Sequence, residues 1–176
     1  MTLNSDYTNI GHPRRNLMIK IRLVLIALLA VISSYSFAAD IKSELKEVIL
    51  VNQNSVIESN LNTFLATSAP DINIVDEFPP FVWKGKDAAA RYVKDFKDLL
   101  TKFKVSDYKL DLKDPTFIEQ DKDVAYAVFP VTVSYKVGNV KAHTDTGYQA
   151  VVFKKTNSGK WLIESSTWAV SNKIIK

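Results

Sequence analysis

Apolar residues recur along this chain at two different periods, and the change of period divides it. Ile41, Leu45, Val48, Ile49, Asn52 and Val56 fall at helical spacing and predict a helix over residues 41–58. Asp40 is its candidate N-cap, and Asn52, a polar residue on that stripe, needs a buried partner or a place facing a pocket. Ser59 or Asn60 can cap a second short helix, Leu61 to Ala66, and Ser68-Ala69-Pro70-Asp71 reads as a break. Ile72 to Asp76 alternates like a short strand, ended by Pro79-Pro80. After Gly85-Lys86-Asp87, residues Ala89, Tyr92, Val93, Phe96, Leu99, Leu100 and Phe103 share one helix face. The period then drops to two. Val105–Leu112, Thr116–Gln120, Val124–Val137, Val140–Lys155 and Trp161–Val170 read as strands. Helix, helix, strand, helix and then a run of antiparallel strands describe an α+β domain, a sheet curling around helices packed on one face.

Gly138-Asn139 is a two-residue hairpin signal, which pairs Val137 with Val140. That register puts Ala125, Ala127, Phe129, Val131 and Val133 on one face with Tyr148, Ala150 and Val152. His143 and Asp145 fall on the other face, unless a bulge near Pro130 and Gly147 reverses them.

The N-terminal segment has a different character. Arg14, Arg15, Lys20 and Arg22 precede the apolar run Leu23 to Ile32, and Ser36 and Ala38 supply the small residues of a cleavage site. Residues 1–38 therefore read as a signal peptide, with Met18 an alternative start, cut near Ala38/Ala39, and residues 39–176 as a single domain. The ten-residue run is short for a membrane span, which needs about 20 residues. A periplasmic or secreted domain is expected, membrane-bound only if the segment is not cleaved.

Composition then narrows the chemistry. The chain has 176 residues and a formal net charge of +4, but the leader holds four of its cations and one acid, leaving 19 basic and 18 acidic residues. The basic pI is thus largely a property of the leader, and nucleic acid is not an expected partner. There is no cysteine, which excludes disulfides, thiolate metal sites and thiol nucleophiles. Of the two histidines, His12 lies in the leader, so His143 stands alone in the mature chain and no metal site or cofactor is expected.

Three stretches carry a resemblance: Phe78-Pro79-Pro80-Phe81-Val82-Trp83-Lys84-Gly85-Lys86-Asp87-Ala88 before the third helix, Asp123 to Val131, and Gly159-Lys160-Trp161-Leu162-Ile163 with Trp168. In this order they make residues 41–172 similar to the nuclear transport factor 2-like superfamily, in its SnoaL-like branch. The resemblance implies a cone, a strongly curved sheet wrapped around three helices with a pocket at the open end. It also implies a range of roles: ketosteroid isomerases, polyketide cyclases, dehydratases and transport adaptors share the fold. Isomerase-like members use a tyrosine on the first helix, a carboxylate base after the second and a protonated acid on a strand. Here the first helix has no tyrosine, while Asp71 and Asp76 lie in the region of the base.

From the residues themselves, Asp76 beside Glu77 is the leading carboxylate pair, and His143 with Asp145 two residues on could form a base dyad on one strand face. Trp83, Tyr92, Tyr148 and Trp168 are the expected pocket liners, with Tyr92 and Tyr148 bordering one cavity. Tyr126, Val128, Val151 and Phe153 suggest an apolar outer sheet face and a homodimer through it. With the charged constellation incomplete, the expected function is binding of a small apolar molecule or a protein partner without catalysis. The alternatives are a cofactor-independent acid–base enzyme and a membrane-anchored secretion-system assembly subunit.

Overall fold

The computed structural model describes residues 41–138 and 141–175, so Asp40, Asn139, Val140 and the leader lie outside the described residues. Residues Ile41–Lys176 form a compact unit. Helix α1 covers 41–57. Its stripe of Leu45, Ile49, Asn52 and Val56 is buried along its length. Helix α2, Leu61–Thr67, is capped by Asn60, whose side chain accepts from the Thr63 amide at 3.1 Å.

The expected break after α2 does not exist. Strand β1 runs Ser68–Val75, starting on the C-cap residue of α2 itself. Pro70 cannot donate to a ladder, and the irregular register between Ser68 and Asn73 accommodates it. Asn52 closes this junction from the core: its side-chain amide donates to Thr67 Oγ1 at 2.9 Å and Ser68 Oγ at 3.1 Å. The polar residue on the helix stripe therefore serves the core and not the pocket.

A second strand, β2 (Val82–Trp83), returns antiparallel to β1 across a turn in which the Phe81 amide donates to the Phe78 carbonyl. Two residues are too few for alternation to reveal. Helix α3, Ala88–Lys102, buries Ala88, Ala89, Tyr92, Val93 and Phe96, while Phe103 beyond it is about half exposed. The remaining strands are β3 (Val105–Leu112), β4 (Phe117–Asp121), β5 (Val124–Val137), β6 (Lys141–Lys155) and β7 (Trp161–Ile175). They build a mixed seven-stranded sheet in the order β2-β1-β7-β6-β5-β3, with β4 on β5. The β1–β7 pair is parallel, and every other pair is antiparallel.

The β5–β6 hairpin differs from expectation by one residue. Val137 pairs with Lys141, and the ladder continues without interruption to Val124 opposite Lys154. Three residues, 138–140, make the connection instead of two, with Gly138 supplying the positive φ of 60°. Because side chains alternate, that one step turns all of β6 over. His143, Asp145, Gln149, Val151 and Phe153 share the inner face with Val131 and Phe129, and Tyr148 points outward, 47% exposed. The register shifts of β6 lie on its other side, against β7, near Thr146/Gly147 and Val152/Phe153.

Candidate functional site

A cavity of about 380 Å³ opens between the helices and the inner sheet face. Its body is apolar: Val56 and Ile57 of α1, Phe96 and Leu99 of α3, Leu110 of β3, and Val131 and Val133 of β5. Polar groups enter it from two sides.

The first side is the end of β1. Asp76 follows the last residue of the strand, and its amide donates to the Phe81 carbonyl across the turn at 3.0 Å. Its carboxylate accepts from the Tyr92 hydroxyl at 2.7 Å through Oδ2 and from the Glu77 amide at 2.7 Å through Oδ1. Burial pushes the carboxyl up to about 6, against these hydrogen bonds, which pull it down. Glu77 forms an ion pair with Lys173 of β7 at 2.7 Å at the mouth.

The second side is the strand pair β5–β6. Tyr135 lies directly opposite His143 in the ladder. The rings of Tyr108, Tyr135 and His143 stack in sequence, with centroids 5.7 and 5.1 Å apart and planes within 15° and 7°. The Tyr135 hydroxyl donates to Asp145 Oδ2 at 2.9 Å. Burial first, and the neighbouring carboxylates next, raise the hydroxyls of Tyr92 and Tyr108. Burial also raises Tyr135, so all three remain protonated donors at neutral pH. No direct His143–Asp145 hydrogen bond forms the expected dyad. The two are joined through Tyr135, which stacks on one and bonds the other.

The expected liners divide. Tyr92 and Trp168 border the cavity. Trp168 does so because the register shift after Ile163 returns Ser166 and Trp168 to the inner face. Trp83 is fully buried core instead, packed against Phe78 and Tyr92 with its ring N–H on Asp95 at 2.8 Å. Tyr148 is on the outer face, so it shares no cavity with Tyr92. Asp71 is exposed on β1 and takes no part. The hairpin register hid Tyr135, and Tyr108 and Lys173 carried no local signal. Pairing odd residues of β5 with odd residues of β6 would have revealed Tyr135 opposite His143. Among the described residues no group of three or more acidic or histidine side chains is arranged to hold a metal.

The fold is shared with solved structures. A type 2 hexachlorocyclohexane dehydrochlorinase superposes with a TM-score of 0.66 at 8% identity, covering 79% of this chain and 90% of that one. The fold is that of the nuclear transport factor 2-like superfamily. A nuclear transport factor 2-like superfamily protein from Salmonella enterica serovar Typhimurium gives 0.62 at 17% identity, over 77% and 94% of the two chains. A putative scytalone dehydratase from Novosphingobium aromaticivorans gives 0.62 at 13% identity, over 75% and 85%. No protein-family profile matches the sequence. No curated protein matches it either. At these identities the nuclear transport factor 2-like fold is what is shared.

Proposed function

We propose that this domain performs cofactor-independent acid–base chemistry on a small, mostly apolar molecule, with Asp76 as the base. The observation that carries this reading is the position of Asp76: a carboxylate at the rim of an apolar cavity, oriented by the Tyr92 hydroxyl. A carboxyl at about 6 is largely ionised at neutral pH, yet more basic than an exposed one. Asp76 takes a proton from a carbon of the bound molecule. The electron pair of that C–H bond then forms a double bond, either as a leaving group departs with its bonding pair or as a neighbouring carbonyl becomes an enolate. Two of the structural neighbours are named for eliminations, a dehydrochlorinase and a putative dehydratase. The leader-like segment supports action after export, in the periplasm or outside the cell.

Solvent deuterium exchange into a panel of cyclic ketones, followed by proton NMR, tests the reading. The wild-type protein should exchange α-protons, and Asp76→Asn should slow this by about a hundredfold or more. Binding of panel members with no exchange by wild type would identify a binding domain without catalysis.

A further inference from the structure

The open end of the cavity presents apolar side chains that the acid–base reading does not use. Phe103, just past the end of α3, lines the cavity and is still 48% exposed, so it stands at the opening. Val105 pairs with Val137 between β3 and β5, and both line the cavity beside it. Ile175 stands opposite His143 in the β6–β7 ladder, so it shares the inner sheet face, yet it is 62% exposed. The Gly138 amide donates to the Lys104 carbonyl at 3.2 Å, which ties the end of β5 to the end of α3. These segments form one rim, and its apolar members carry the wall of the cavity out to the surface.

The rim is also basic. Lys102 ends α3 and Lys104 follows it, Lys136 and Lys141 stand on either side of the β5–β6 connection, and Lys173 lies near the end of β7. Asp107 pairs with Lys136 and Glu77 with Lys173, each at 2.7 Å. Asp76 and Asp145 line the cavity behind the rim. Five lysines against two acids leave the rim an excess of three positive charges, whereas the residues outside the leader are nearly balanced overall. Lys102 and Lys104 are exposed, make no ion pair among the described residues and flank Phe103 in the chain, with Lys102 Nζ 5.5 Å from the centre of its ring.

Exposed apolar side chains set among lysines call for a partner that is anionic at its surface and apolar beneath. A polyanion would leave Phe103 and Ile175 in water, and an uncharged apolar surface would leave the lysines uncompensated. An anionic bilayer meets both needs, because lysine stems lie along apolar groups while their ammonium groups reach the headgroups. We propose that this rim docks on an anionic lipid bilayer, with Phe103 and Ile175 among the acyl chains, Lys102 and Lys104 at the headgroups and the cavity opening onto the membrane. An apolar molecule dissolved in the bilayer then enters the cavity without crossing water. The docking goes beyond the acid–base reading and does not depend on it.

The test uses the domain from Ala39, so that the apolar run Leu23 to Ile32 cannot itself hold lipid. Vesicles of phosphatidylglycerol and phosphatidylcholine in equal parts should carry the domain upward in flotation at low salt. Vesicles of phosphatidylcholine alone, or about 0.5 M salt, should weaken binding about tenfold or more. Phe103→Ser, and Lys102→Glu combined with Lys104→Glu, should each weaken it to a similar degree. No binding to the anionic vesicles overturns the proposal, and so does equal binding to both kinds. Because the chain has no cysteine, Ile175→Cys accepts a single environment-sensitive dye. Its emission should shift to the blue on anionic vesicles, and the same dye on Tyr148→Cys, on the outer sheet face, should not respond. The reverse pattern puts the membrane on the other face and overturns the proposal. Tight binding of heparin with an unmoved dye at Ile175 would identify a polyanion site and overturn it as well. Docking without deuterium exchange into ketones would defeat Asp76 as base and leave the membrane site standing.

Discussion

At the scale of single residues, Asp76 couples function to stability. Its carboxyl titrates at about 6 in the folded protein against 3.8 as the ordinary value, because of burial. Between those values the native state holds a proton that the unfolded chain releases. Its contribution is therefore fully present below about pH 4, is lost as pH rises toward 6, and is constant above. Two pH units correspond to roughly 3 kcal/mol as an upper bound. Asp76→Asn should flatten this slope and stabilise the domain at pH 7, measured by urea unfolding across pH, while it removes turnover. Tyr92→Phe acts in the same sense as burial. It deletes the hydroxyl that favours the charged carboxylate, so the acid limb of a pH–rate profile should move upward by about one unit. A limb that stays in place would show that the Tyr92 bond does not set the basicity.

At the scale of elements, β6 and β7 approach closely at Gly147. A Cβ on Gly147 would collide with the Ala169 backbone carbonyl and lie 2.8 Å from the Trp168 ring. Gly147→Ala should destabilise the domain by about 1–3 kcal/mol, read as a lower Tm, and should disturb Trp168 fluorescence because that ring lines the cavity. The helices and the central strands are legible in the sequence because their periodic runs are long. Strand β2 was not, since two residues carry no alternation. The site was half legible. Asp76, Tyr92, His143 and Asp145 are visible as chemistry, but which face His143 and Asp145 occupy depends on one residue of loop length. The glycine that marks the turn is compatible with either count, so Tyr148 was drawn inward and Tyr135 was overlooked.

At the scale of the whole molecule, the outer sheet face remains to be partnered. The turned-over β6 moves Val151 and Phe153 into the core and leaves Tyr126, Tyr148 and Phe117 outside, 41%, 47% and 50% exposed. Phe117 and Tyr126 pack ring to ring at 6.0 Å, giving that face an aromatic centre. We propose a second copy of the chain as its partner, since apolar faces of this kind mark association sites. Sedimentation velocity at tens of micromolar, an ordinary concentration scale for modest interfaces, should show a dimer that Tyr126→Lys dissociates. A wild-type monomer at that concentration would count against it.

The parallel pairing of β1 with β7 also sets the order in which the chain can fold. Ile74 pairs with Ser166, so the two strands meet only after most of the domain has been synthesised. The β5–β6 and β6–β7 ladders join neighbours in sequence and close short loops, whereas the β1–β7 ladder closes a long one, at greater entropic cost. Ile72 and Ile74, buried in the finished core, therefore have only the two-residue β2 beside their strand until β7 is in place. Pulse-labelled hydrogen exchange should protect β5 and β6 amides before those of β1, and early protection in β1 would reverse that order. On the export reading, late closure has a use. A chain whose first strand waits for its last stays open long enough to be threaded through a narrow channel.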